Sequence, residues 1–242
     1  MKLTPSLINK NEAVEINRIY QFRYKCYAID TDWRPKNEIG MDYDIYDENA
    51  IHLVMYMPGQ ELTLSSGNKY VTREIATYHR LIPRLSETGH SNTFLIENEY
   101  EKAMSSNKIS IVNTPEVGEI SRLCIHKNKV RDMLRTKNLT QNFMMSQYRF
   151  TYQACMFFGI KHLYFASTRH IIENGRKRGF PIHRMMPLVT LKNGDEIEFV
   201  QMHWDEFNDR APSNVVEWFN TPYEDCPFEK FKQETMQTEK TA

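Results

Sequence analysis

The clearest periodic signal lies near the start of the chain. Ile16, Ile19, Tyr20, Arg23 and Tyr27 recur at steps of three and four residues, so one face of a helix carries them all. Asn11 is the expected N-cap, with Glu12 and Glu15 in the first turn, where carboxylates suit the positive end of the helix dipole. A polar loop through Asp32, Pro35 and Gly40 follows. Apolar stretches at 51–57 and 75–82 predict strands, with turns at Gly59 and 65–68. Residues 84–115 form a long polar stretch containing Phe94, and a connection of that length usually has a functional reason. Residues 116–126 predict another strand. A helix capped by Asn138 or Thr140 is expected to run to Phe158 and stop at Gly159. Beyond it come a strand at 162–166, a helix at 168–178 ended by Gly179, and strands at 182–190 and 196–203. This order predicts a mixed α/β domain with a central sheet over 1–204. From 205 to 242 the chain is an acidic, proline-punctuated extension whose last ten residues read as disordered.

Composition narrows the class. The 242 residues are 40% hydrophobic and 26% charged, as in a globular protein with a sizeable core. No apolar run approaches the roughly 20 residues that cross a bilayer. The four cysteines (Cys26, Cys124, Cys155, Cys226) are far apart and form no CxxC pair, which predicts reduced thiols and a cytoplasmic protein without a metal site. The zero net charge hides an asymmetry: residues 127–184 carry +10 and residues 195–242 carry −8. The basic segment suits an anionic partner, or the acidic tail neutralises it.

Candidate chemistry gathers at three places. Residues 40–47 hold Asp42, Asp44 and Asp47, three carboxylates whose mutual repulsion calls for a cation. The EF-hand spacing is absent, leaving a substrate ammonium, a neighbouring arginine or plain solvation. Arg23, on an apolar helical face, needs an anionic partner if it is buried rather than reaching to the surface. Trp33 either plugs its loop or offers an aromatic face to an onium cation. The strand at 116–126 contains Glu119 and Arg122, which alternation sends to opposite faces. A bulge, tolerated by Gly118, would bring them into one cleft as a tuned base or an ion pair. No GxSxG, HExxH, Walker or GxGxxG motif is present, and no nucleic-acid module accompanies the basic segment.

Taken in order, these residues resemble the acyl-homoserine-lactone synthases. The resemblance rests on Arg23, Tyr27 and Trp33, then Asp42, Asp44 and Asp47, then Arg80-Leu81-Ile82-Pro83, Asn92-Thr93-Phe94 and Glu119-Ile120-Ser121-Arg122. Arg176-Lys177-Arg178-Gly179 is similar to the family's basic turn. The chain departs from the pattern at Asp42, where the family has glutamate, at Tyr27, where it has phenylalanine, and in its C-terminal extension. Arg23-Tyr24-Lys25-Cys26-Tyr27 and His52-Leu53 also resemble a sister group, the long-chain N-acyl amino acid synthases.

The resemblance implies a single GNAT-like domain with a twisted, mostly antiparallel sheet split near its middle. It implies a quorum-sensing signal synthase that moves a fatty acyl group from an acyl-carrier-protein (or CoA) thioester to the amine of S-adenosylmethionine. Lactonisation and release of methylthioadenosine follow, with no cofactor beyond these substrates. Glu119 is then the expected base, Asp44 and Asp47 orient the ammonium and hold Arg80 and Arg122, and Arg23, Tyr27, Trp33, Asp42 and Phe94 complete the substrate pocket. Arg176, Lys177 and Arg178 are the expected carrier-docking residues. Residues 131–138 lack the glycine-rich turn with which GNAT enzymes cradle a CoA pyrophosphate, which fits a carrier-protein donor. Alternatives are a free amino acid as acceptor, or a non-catalytic module that senses an acyl carrier or lipid.

Overall fold

Buried aliphatic and aromatic side chains, alternating between two faces, build one central sheet. A computed structural model describes residues 3–8, 10–63, 69–85, 89–126, 142–190, 194–224, 227–229 and 231. The expectations for Asn138, Thr140, residues 131–138, Cys226 and the last ten residues lie outside them, as does much of the basic segment.

The elements, in chain order, are β1 (Thr4–Ile8), α1 (Ala13–Tyr24), a π-helical turn (Lys25–Asp30), a 3₁₀ turn (Ile45–Asn49), β2 (Ile51–Tyr56), β3 (Gln60–Thr63), β4 (Lys69–Thr72) and β5 (Ile75–Pro83). After them come α2 (Leu95–Glu99), α3 (Glu101–Ser106), β6 (Val117–Ile125), α4 (Phe143–Phe157), β7 (His162–Thr168) and α5 (Arg169–Lys177). The chain continues through β8 (Ile182–Arg184), β9 (Val189–Thr190), β10 (Glu196–His203), α6 (Trp204–Arg210) and α7 (Ser213–Asn220). The fold is the expected mixed α/β class. The first helix is capped by Glu12, one residue later than expected, and continues through Tyr27 as a π turn that periodicity does not foretell. Asn142 caps α4, its side chain accepting from Met145 N at 3.2 Å. The stretch from 84 to 115 is not wholly irregular, since it holds α2 and α3.

The main sheet runs β1-β2-β5-β6-β7-β10-β8, with β9 added on β10; β3 and β4 form a separate hairpin. Every described pairing is antiparallel except β6 with β7. That parallel contact is short: Val117, Gly118 and Glu119 face His162, Leu163 and Tyr164, and beyond them the strands part. Gly118 permits this close approach, because a Cβ there would sit 3.1 Å from Ile160 Cδ1 and 3.3 Å from the Ile82 carbonyl oxygen. The bulge in β6 lies elsewhere. The β5–β6 register slips between Tyr78 and Arg80, and Arg122 takes φ of 56°, a costly conformation for any residue with a Cβ.

Core side chains sort by face. Leu53, Leu81, Ile120, Leu163 and Met202 pack toward α4, α6 and α7. Ile82, Val117, Tyr164 and Phe199 point the other way, toward Phe94, Ile96 and Met104, and Val54, Tyr78 and Cys124 cover the inner side of α1. The acidic C-terminal segment, over its described residues, is part of this body. Phe207, Val215, Phe219 and Phe228 join the larger core, and Arg149 lies 4.2 Å from the Tyr223 ring and 5.0 Å from that of Trp218.

Candidate active site

Three aspartates and three arginines interlock on the α1 side of the sheet. Arg23, wholly buried, donates from Nε to Asp42 at 3.0 Å and from Nη1 to Asp47 at 2.6 Å. Arg80, equally buried on β5, reaches Asp47 at 3.0 Å and also donates to Asp44. Arg122 donates to the other Asp44 oxygen at 2.6 Å. The 3₁₀ turn fixes the carboxylates, because Asp44 caps it and Asp47 returns an acceptor to Asp44 N at 2.8 Å. The cation demanded by the acidic cluster is therefore supplied by arginines. Asp44 is held at about 2: burial alone would raise it, but Arg80 and Arg122 overcome that cost.

The bulge at Arg122 turns its side chain to the face that Glu119 occupies, which strict alternation would forbid. Glu119 is wholly buried, with one carboxylate oxygen accepting from Ile96 N at 3.0 Å and the other, Oε1, lacking a hydrogen-bond partner among the described residues. Burial pushes its pKa up to about 7, against the opposing pull of the Ile96 N–H, Arg80 and Ser121. Ser121 in turn accepts from Arg80 Nε at 3.0 Å.

Where β6 and β7 part, a cavity of about 510 Å³ passes through the sheet. On the α1 side its mouth is polar and aromatic, with Tyr27, Trp33, Arg34, Glu99, Tyr100 and Arg122. Tyr27 and Trp33 stack with ring centres 6.1 Å apart, and Tyr27 donates to the Leu123 carbonyl at 2.9 Å. Arg34 and Glu99 pair at 2.8 Å beside them. On the α4 side the cavity becomes apolar, lined by Tyr148, Leu163, Phe180, Ile182, Met202 and Trp204. From Ile120 onward β6 has no strand partner on its β7 edge among the described residues, and its backbone borders the passage.

The family model described as an acetyltransferase (GNAT) domain matches residues 22–137. Among solved structures, MesI, a CoA-dependent acyl-homoserine lactone synthase, aligns at 14% identity and TM-score 0.61, over 89% of this chain and 93% of its own. BjaI, a second such CoA-dependent synthase, solved with SAM and isopentyl-CoA, aligns at 13% and 0.61 over 90% and 87%. FeeM, an N-acyl amino acid synthase from uncultured soil microbes, aligns at 7% and 0.50 over 90% and 99%. The chain has the GNAT fold. Compared by sequence with curated proteins, it has no match.

Within this GNAT fold the expected site residues separate into two shells. Tyr27, Trp33 and Arg122 line the cavity. Arg23, Asp42, Asp44, Asp47, Arg80 and Glu119 stand behind its wall, so Asp44 and Asp47 meet guanidinium groups rather than open space for an ammonium. Phe94 is not a lining residue either. It is fully buried beneath Arg84, whose guanidinium lies 4.9 Å from its ring and also pairs with Glu97. Phe94 thus sets the position of Leu95 and Ile96, which do line the cavity. Arg176 is tied to Glu198 at 3.2 Å and to the Ile182 carbonyl at 2.9 Å, which leaves Lys177 as the exposed member of that basic turn.

Several lining residues escaped sequence reasoning, among them Ser121, His79 and Tyr148. His79 is wholly buried, bonded to Thr151 at 3.0 Å, and held neutral by burial down to about 3. Only the E-x-S-R spacing drew attention to Ser121; nothing local distinguishes His79 from a packed core histidine. Among the described residues no group of three or more His, Cys, Asp or Glu is placed to hold a metal ion, and no helix is long and apolar enough to cross a membrane.

Proposed function

We propose that the protein is an acyl-homoserine-lactone synthase acting in the cytoplasm. Its reaction would join a fatty acyl group from a carrier-protein thioester to the amine of S-adenosylmethionine. The observation that carries this reading is a passage joining a polar mouth to an apolar chamber, with Glu119 buried beside the junction. The polar mouth suits an amino acid with a cationic sulfur, since stacked Tyr27 and Trp33 offer aromatic faces to a sulfonium. The apolar chamber suits an alkyl chain.

In this mechanism the ammonium first loses a proton to Glu119 through an intervening water, because the carboxylate does not reach the cavity itself. A carboxylate that titrates near 7 is matched to that task. The free amine attacks the thioester carbon, and amides of β6 beyond Glu119 stabilise the oxyanion. Collapse breaks the C–S bond, and the thiolate leaves and takes up a proton. The substrate's own carboxylate then attacks its γ-carbon, closing the lactone and expelling methylthioadenosine. The Asp–Arg cluster holds Arg122 and the β6 bulge in place throughout.

The carrier-protein donor is supported by the glycine-free stretch 131–138 and by exposed Lys177. A CoA donor is the second reading, favoured by the CoA dependence of MesI and BjaI. Purified protein incubated with S-adenosylmethionine and matched acyl-carrier and acyl-CoA pools, followed by mass spectrometry, tests both. Acyl-homoserine lactone and methylthioadenosine should appear together. An N-acylated free amino acid without methylthioadenosine would move the protein to the sister activity.

A further inference from the structure

Three histidines that the proposed chemistry does not use meet where β7 begins and β10 ends. His162 and His203 are direct partners across the antiparallel ladder, their Nδ1 atoms 2.6 Å apart and their ring centres 4.6 Å apart. His183 on β8 faces Gln201, two residues from His203, so it shares their face. Its ring lies 6.2 Å from that of His203, and its Nε2 is 2.6 Å from Glu206.

This corner adjoins the lining of the apolar chamber. His162 precedes Leu163, and His203 lies between Met202 and Trp204; all three neighbours line the cavity. Trp204 N donates to the Lys161 carbonyl at 3.0 Å, while Lys161 N and His162 N both donate to the Glu116 carbonyl. A change between the two imidazoles therefore acts on the backbone that carries the lining residues Leu163, Met202 and Trp204.

At 2.6 Å the two Nδ1 atoms hold one proton between them, one ring donating and the other accepting. A first added proton can go to the donor ring's outer nitrogen without breaking that bond. A second must go to the accepting Nδ1. Both rings are then cations with N–H groups facing one another, and attraction becomes repulsion. The facing groups do not cancel this. His183 adds positive charge when protonated, Glu206 and Asp205 offset part of it, Arg210 occupies Glu206, and Lys161 and Glu116 pair with each other. Burial, His162 and His183 hold His203 below the usual imidazole value, so the second proton is taken up only as pH falls.

We propose that the His162–His203 pair is a proton-operated catch on the strand ends beside the apolar chamber, shut while the rings share one proton and released when both are charged. The inference concerns the chamber itself and stands whether or not an acyl chain fills it.

Hydrogen–deuterium exchange on the full-length protein without substrate tests it, comparing roughly pH 7.5 with 5.5 after correction for intrinsic exchange. Peptides spanning 162–166 and 200–206 should lose about tenfold protection at the lower pH while β2 and β5 keep theirs. His203→Gln keeps a hydrogen-bonding side chain but takes no charge, and it should abolish the difference. His162→Asn provides the same test should the first variant fold poorly. Equal protection at both pH values, the same loss in either variant, or a loss spread over the whole sheet would overturn the catch.

Discussion

Asp44 and Glu119 lie on the same face of one sheet, yet their surroundings drive them in opposite directions. Asp44 is one-fifth exposed and surrounded by guanidinium groups, so it stays ionised down to about 2. Glu119 is fully enclosed, with a backbone amide on one oxygen and nothing on the other, and it holds its proton up to about 7. The comparison separates scaffold from chemistry. Carboxylates saturated by arginines have no proton affinity left to use near neutrality, whereas a carboxylate that is buried and under-paired does.

The largest test strikes the saturated region. Asp47→Ala removes the acceptor shared by Arg23 and Arg80, leaving buried charge uncompensated, and should cost about 3–5 kcal/mol in urea unfolding. A loss under about 1 kcal/mol would mean that the cluster is solvated and not a scaffold.

Next in size is Glu119→Gln, expected to lower turnover at least about 100-fold while the protein stays folded. Near-normal turnover would remove Glu119 from the proton path and leave it a structural acid.

The third test uses opposite pH signs. The folded value of Asp44 lies below its usual 3.8, so its contribution of about 2 kcal/mol is complete above pH 4 and disappears as pH falls toward 2. The folded value of Glu119 lies above its usual 4.5, so stability is greatest below that pH and falls by about 3 kcal/mol as pH rises through 7. Chemical denaturation across this range should show Glu119→Gln flattening the neutral-side fall alone. The smallest effect is at the mouth: Trp33→Ala should weaken S-adenosylmethionine binding by about 0.5–2 kcal/mol by calorimetry, with little change in folding.

Arg23 shows how far sequence reasoning reaches. Its place on an apolar helical face calls for an anionic partner if it is buried, but equally allows it to reach the surface, and the resemblance gives it to the substrate pocket. The structure buries it against Asp42 and Asp47. The pairing of Arg80 and Arg122 with the aspartates is implied by the resemblance, and the structure places both arginines on Asp44. Phe94 shows the limit. Its segment was singled out, but whether the ring faces substrate or core depends on Arg84 and Glu97, which meet it only in three dimensions. The strand β1 and the hairpin of β3 and β4 were missed, for their short runs carry too little alternation to stand out from loops.

By itself the sequence determined the first helix and the main strands of the sheet centre, the crowding of like charges at 42–47, and the presence of a glutamate inside an apolar strand. Those are properties of neighbours along the chain, where periodicity and charge density act directly. Tertiary structure alone decided that the bulge falls at Arg122 and not at Gly118, that β6 and β7 part after Glu119, and that the resulting passage joins a polar mouth to an apolar chamber. Each of these depends on which strand lies beside which and in what register, and register is set by packing between residues far apart in sequence.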